Sequence, residues 1–286
     1  MVKWLSLAFA LAAASCAREP GGADTPSPVR LEQVWRLDGF ANPESATLDE
    51  SGAVLFVTNV NGEGEAEDGN GFISRVSLDG VMLEREWARG LDAPKGIARA
   101  GNLLYVADIN EVAVISALDG STRERVAVAG ARFLNDIAVA PDGLVLVADS
   151  ATQRIYSVND GAAEIWLEHD LLNSVNGLLP EPQRLVVTTM AGRLLAIDYE
   201  SRAVSLLADG LGDADGVAAI GDGRYLVSEW PGLMHVVTVD GSRDTLLDTR
   251  SEERYLNDFL LREGVVYQPH WEPSEFSAYR IVQGEP

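Results

Sequence analysis

The sequence predicts an all-β fold, a six-bladed β-propeller closed by its N-terminal strand. Three observations carry this. First, related segments open at Glu44, Lys95, Asn135, Asn176, Asp215 and Asn257, spaced by 51, 40, 41, 39 and 42 residues, and a period near forty marks a repeat architecture. Second, each repeat holds short β-rich runs, such as residues 103–107 (LLYVA) and 144–148 (LVLVA), separated by Gly, Asp and Asn turns. Four such runs per repeat make a propeller blade. Third, the last repeat runs out of chain after about three strands, while residues 32–37 (EQVWRL) alternate as a strand at the start. Pairing the two closes the ring and leaves no open sheet edge.

Taken in order, the chain begins with Lys3 and an apolar run over residues 4–14, the length of a signal peptide and too short to span a bilayer. Residues 1–15 are read as that signal. The run ends in Ala13-Ala14-Ser15-Cys16, which resembles a bacterial lipobox, although the usual Leu three before the cysteine is absent. Cys16 is the chain's single cysteine, so an internal disulfide is impossible and lipidation of Cys16 is the expectation. Ala17, in place of Asp, favours by the same resemblance an outer-membrane anchor facing the periplasm. Residues 16–30, rich in Pro and Gly, read as a flexible tether, and residues 31–286 as the propeller. The first blade carries an extra acidic stretch, residues 61–70 (NGEGEAEDGN), which lacks the Asp spacing of an EF-hand loop.

With 286 residues, 47% of them hydrophobic, a sizeable core is available. Lys and Arg number 22 against 44 Asp and Glu, a formal charge of −22. Such a surface repels phosphate backbones, which argues against nucleic acid as a partner, and it attracts cations. The expected partner is a small molecule, with membrane contact only through the lipid anchor and the protein a monomer.

The function-bearing pattern is the lead column. In a propeller the innermost strands face a central channel, so equivalent positions lie on one ring. Glu44, Asn135, Asn176, Asp215 and Asn257 then converge, five side-chain oxygens in six blades. Two carboxylates with neutral amides form a hard-oxygen set, which disfavours zinc, and an irregular, roomy ring suits calcium better than magnesium. The same residue types also suit the tight turn opening an inner strand, so a purely conformational role is the competing reading. Lys95 breaks the pattern: a unit charge about 6 Å from a divalent ion costs roughly 5 kcal/mol at an effective dielectric near 20. Either its long stem swings up toward an anionic substrate, or its ammonium replaces the metal by pairing with Glu44 and Asp215.

The segments Pro43-Glu44-Ser45, Asn135-Asp136, Asn176-Gly177-Leu178 and Asp215-Gly216, in this order at blade spacing, resemble the senescence-marker-protein/gluconolactonase family of six-bladed propellers, with diisopropyl-fluorophosphatase and paraoxonase as more distant relatives. The likeness spans roughly residues 31–281. It implies a catalytic calcium or similar divalent ion held by Glu44, Asn176 and Asp215, with Asn135 added by the fluorophosphatase-like set. It implies hydrolysis of a lactone, ester or phosphoester, with Asp215 as general base or nucleophile. Arg132 departs from the family's arginine position, and its expected contact with substrate rests on that looser match. Blades 2 and 3 also resemble NHL repeats, so a non-catalytic propeller serving as a binding or assembly module at the cell envelope is the alternative.

The second strand of each blade returns antiparallel to the level of the lead residue. This places Asn59, Asp108, Asp149, Thr189, Glu229 and His270 on a second ring, with Met190, Trp230 and Trp271 beside it. From this ring Glu229 is expected to contact substrate, as are Lys95 and Asn257 from the first. His270 is the histidine placed to act as an acid–base group; Trp271 could line an apolar pocket or pack between blades, and packing is the expectation.

Overall fold

A computed structural model describes residues 29–284. They form six four-stranded antiparallel sheets. The only helical elements among them are two single turns, Asp170–Leu172 and Arg250–Glu252. Blade 1 runs β2 (Pro43–Leu48), β3 (Val54–Asn59), β4 (Gly71–Ser77) and β5 (Met82–Leu91); blade 2 runs β6 (Pro94–Ala100), β7 (Leu103–Asp108), β8 (Glu111–Ser116) and β9 (Thr122–Ala127). Blade 3 is β10 (Leu134–Val139), β11 (Val145–Asp149), β12 (Arg154–Asn159) and β13 (Ala162–Glu168); blade 4 is β14 (Val175–Pro180), β15 (Arg184–Thr189), β16 (Arg193–Asp198) and β17 (Val204–Asp209). Blade 5 is β18 (Asp213–Gly221), β19 (Arg224–Trp230), β20 (Leu233–Thr238) and β21 (Arg243–Asp248). Blade 6 is β22 (Leu260–Arg262), β23 (Val265–His270), β24 (Glu275–Gln283) and, as its outermost strand, β1 (Val29–Leu37).

The ring therefore closes through β1, paired antiparallel to β24 from Val29↔Gln283 to Leu37↔Phe276. This strand starts at Val29, earlier than the alternation of residues 32–37 alone indicates, because Val29 and Leu31 pack with Ile281 against the interface between blades 5 and 6. Cys16 and the leader lie outside the described residues. No helix among the described residues is long and apolar enough to cross a membrane.

Alternate residues of each middle strand face opposite neighbours, so the core is divided between blades. Val187 and Leu195 of blade 4 pack with Leu146 and Ile155 of blade 3, while Val186 and Leu194 pack with Val217 and Tyr225 of blade 5. Middle strands buried on both faces read as near-continuous apolar runs, which is why they were visible in the sequence.

The lead residues owe their direction to a repeated irregularity. In blades 1 to 5 the first and second strands slip by one residue at the same place: Pro43↔Asn59 is followed by Ala46↔Val57, and Leu134↔Asp149 by Ile137↔Val147. The same bulge holds Lys95, Asn176 and Asp215 in the other three. Two residues there oppose one, which bends the strand and re-aims the first side chain toward the axis.

Three hydroxyls opposite the bulges stitch blade to blade. Thr58 Oγ1 accepts the Ser45 N–H and donates to the Lys95 carbonyl at 2.7 Å. Thr188 Oγ1 accepts from Gly177 N–H and donates to the Asp215 carbonyl, and Ser228 Oγ accepts from Gly216 N–H and donates to the Asn257 carbonyl at 2.9 Å. The lead carbonyls of blades 2, 5 and 6 are thus fixed by the blade before each. The strands approach so closely that a Cβ on Gly177 would strike the Asp215 carbonyl oxygen and Thr188 Oγ1.

Candidate metal and substrate site

All six lead residues line one cavity of about 300 Å³ at one end of the channel, with Gly64, Phe133, Met190, Trp230 and Trp271 as its upper wall. Four of the six carry a buried oxygen without a hydrogen-bond partner: Glu44 Oε2, Asn135 Oδ1, Asn176 Oδ1 and Asp215 Oδ1. Buried polar atoms are almost always satisfied, and leaving one bare costs about 1–3 kcal/mol. Four bare acceptors around one cavity, and no donor reaching them, describe a place for a cation. Two ionisable oxygens and two amide oxygens are a donor set suited to a hard divalent ion, so the residues present fit calcium. No group of three His, Cys, Asp or Glu gathers as a metal site among the described residues, because amides supply half of this set.

Asn257 completes the ring differently. Its amide nitrogen donates to the Pro43 carbonyl at 2.9 Å, closing blade 6 onto blade 1. Asn135 Nδ2 donates to Ser150 Oγ at 3.3 Å, and that hydroxyl donates to the Val175 carbonyl at 2.6 Å, which fixes the amide's orientation.

Directly beneath the ring lie Asp136 and Asp258, the residues after two of the leads. Asp136 accepts the N–H groups of Ile137 (2.7 Å) and Leu178 (2.5 Å), and Asp258 accepts from Ser45 Oγ at 2.6 Å. Both border a second cavity of about 310 Å³ toward the other end of the channel. Their neighbours on the adjoining blades are glycines for a steric reason. A Cβ on Gly96 would lie 2.6 Å from Asp136 Cα, and one on Gly216 2.7 Å from Asp258 Oδ1.

The axis therefore concentrates four buried carboxyl groups. Burial is the first cause that lifts the pKa of each, and mutual repulsion is the second for Glu44, Asp136 and Asp215. Asp258 is pushed up to about 6 by burial, against the hydrogen bond from Ser45. Such a cluster favours a cation at its centre.

Lys95 does not supply that cation. Its Nζ donates to the carbonyls of Gly64 (2.6 Å) and Ala93 (3.3 Å) and lies 4.4 Å from the Phe133 ring centroid, and it forms no ion pair with Glu44 or Asp215. The stem swings up and away from the carboxylates, the first of the two readings open from sequence.

The second ring is not a cavity wall. Asn59, Asp108, Asp149 and Glu229 each accept backbone N–H groups from the loop entering their own blade: from Ala41, from Asp92 and Ala93, from Arg132 and Phe133, and from Gly212. Glu229, expected to touch substrate, instead clasps this loop and faces His235 Nε2 at 3.4 Å. His270 is also absent from the cavity. It lies on the β23 face turned toward blade 5, fully buried, with Nε2 3.0 Å from Ser277 Oγ. Burial and the nearby Arg254 and Arg36 hold its pKa down at about 3, so it stays neutral and remote from the ring. Arg132 is exposed, and the residue beside it, Phe133, takes the wall position. Trp271 takes the first of its two readings, against the expectation of packing, and lines the cavity, with its ring 6.4 Å from that of Trp230.

Two wall residues had no signal in the repeat. Gly64 belongs to the blade 1 insertion and Phe133 to the loop before β10, where the period carries no information. In the fold both meet Lys95, through the Gly64 carbonyl and the Phe133 ring.

No protein-family model matches the sequence, and no curated protein matches it. Among solved structures the fold is similar to a streptogramin B lyase (TM-score 0.64, 12% identity, 89% of this chain and 98% of that one). Virginiamycin B lyase from Staphylococcus aureus is equally similar (TM-score 0.64, 12% identity, 89% and 100%). A chain of a nidogen/laminin complex also matches (TM-score 0.62, 18% identity, 76% and 83%). The class is thus a six-bladed β-propeller, whose structural neighbours include both lyases and a chain of a nidogen/laminin complex.

Proposed function

We propose that this protein is a divalent-cation-dependent hydrolase, with calcium the cation, acting on an ester, lactone or phosphoester at the axial cavity. The observation that carries the reading is the set of four unpartnered oxygens on Glu44, Asn135, Asn176 and Asp215 around one cavity. These four residues would hold the ion. When bound, it polarises the substrate oxygen and offsets the negative charge that develops there.

The chain's own residues do the rest. Asp215 Oδ1 faces the cavity without a partner, placing a carboxylate where it can accept a proton from water or attack directly. Asn257 and the bulge stitches keep the ring from relaxing. Phe133, Met190, Trp230 and Trp271 exclude water from one side of the cavity and receive the apolar part of a substrate.

The alternative of a non-catalytic binding propeller drew its mechanism from a hub salt bridge of Lys95 with Glu44 and Asp215. With Lys95 donating to Gly64 and Ala93 and lying against Phe133, it makes no ion pair with Glu44 or Asp215, and its charge acts on Glu44 only from a distance. We further propose Cys16 as the site of the anchor. Val29 pairs with Gln283 at the end of the disc opposite His270 and the lead residues, so an anchored chain would present its cavity away from the membrane.

The test is hydrolysis of p-nitrophenyl acetate, a γ-lactone and a p-nitrophenyl phosphotriester by chelated protein, before and after calcium is restored. Activity on at least one substrate is expected to return with calcium. Absence of hydrolysis at saturating calcium across all three would reject the reading.

A further inference from the structure

Among the described residues Lys95 is the one cation lining the cavity, and it is 4% exposed. From the β6 bulge its stem reaches a point where three loops meet. Gly64 belongs to the blade 1 insertion, Ala93 to the turn before β6, and Phe133 to the loop before β10. The base of the insertion is closed by Asn61 Nδ2 to the Asn70 carbonyl at 3.0 Å, and by Gly69 N–H to Asp92 Oδ1 at 2.9 Å. At its tip, Ala66 N–H bonds within the loop to the Glu63 carbonyl, and Lys95 supplies the bond that ties Gly64 to the propeller body. Glu63, Glu65 and Glu67 flank this contact and are exposed.

The same ammonium feels three carboxylates. Glu44 attracts it toward the axis, Asp108 toward the end of β7, and Glu65 toward the loop. A divalent ion held by Glu44, Asn135, Asn176 and Asp215 would cancel the inward pull and add repulsion. Binding at the ring and seating of the loop would then be linked, each favouring the other.

We infer that Lys95 is a positioning residue: it latches residues 61–70 down as a wall of the cavity, and a cation on the ring tightens that latch. The second half rests on the proposed function; the first does not.

The experiment is limited proteolysis of the protein by a glutamyl endopeptidase, with calcium alone as the added ligand, alongside calorimetric calcium titration. Lys95→Met keeps the stem and removes the charge; Lys95→Arg keeps a cationic donor. Cleavage within residues 61–70 is expected to be about tenfold faster or more in Lys95→Met, the cost of one charge-assisted hydrogen bond, and partly restored in Lys95→Arg. Calcium is expected to slow cleavage of the wild type but not of Lys95→Met, which binds calcium as tightly or more tightly. A purely structural lysine would not make cleavage depend on calcium. Wild-type cleavage rates in Lys95→Met, with an unchanged unfolding midpoint, would overturn the latch. Calcium that binds the wild type without slowing cleavage would overturn the linkage. If no calcium binds at all, the catalytic reading and the linkage fail together, and the latch is judged by Lys95→Met against wild type in chelator.

Discussion

Asp215→Asn is expected to abolish calcium-dependent hydrolysis, by about a thousandfold or more, while making the cation-free protein more stable. The substitution is isosteric, so the Thr188 stitch to the Asp215 carbonyl is untouched. What it removes is one of the two carboxylates of the ring and the partner that Glu44 and Asp136 repel. A buried charge without compensation is a cost to the fold, and relieving it should add about 1 kcal/mol or more in chelator. A residue kept for structure would lose stability when changed, whereas one kept for chemistry shows this opposite sign. Urea unfolding in chelator, beside the hydrolysis assay, separates the two.

The second large effect is on pH dependence. In the unfolded chain the carboxyl groups titrate near pH 4, while in the fold Glu44, Asp136 and Asp215 are raised well above that and Asp258 to about 6. The native state thus holds protons that the unfolded chain has released. Stability from these groups is full below about pH 4 and is lost as pH rises through their folded values. His270 acts oppositely: lowered to about 3, it withdraws stability as pH falls below its unfolded value near 6.5. Above about pH 7.5 His270 is neutral in both states, so a scan from there to about pH 8.5 follows the carboxyl groups, opposed only by Lys95, whose pKa burial lowers. In chelator, unfolding free energy should fall across this window, by up to about 1.4 kcal/mol per pH unit for each proton retained. Calcium should flatten the slope, because an ion on the ring holds Glu44 and Asp215 ionised throughout. A flat profile in chelator would remove the electrostatic basis of the site.

Much of the architecture was legible because the repeat writes itself six times. Apolar middle strands, turn glycines and the column at residues 44, 95, 135, 176, 215 and 257 recur with the blade, and propeller geometry converts a column into a ring. What lies outside the period was not legible. The bulge is a property of strand pairing, and Thr58, Thr188 and Ser228 read as ordinary strand residues until the slip beside them is seen. Glu229 and His270 were put at the right height, but height does not determine which side a side chain faces. Loop N–H groups claim one, and the face toward blade 5 claims the other. Gly64 and Phe133 come from segments whose conformation depends on what Lys95 reaches, so no pattern in the chain announces them.

The central claim is that a divalent ion belongs on the ring, and calorimetric calcium titration of chelated protein tests it most directly, with thermal unfolding in parallel. The account predicts a single binding event in the wild type, a higher unfolding midpoint worth about 2.7 kcal/mol at one hundred times the dissociation constant, and neither effect in Asp215→Asn. No heat and no shift in the wild type, or undiminished binding by Asp215→Asn, would contradict it.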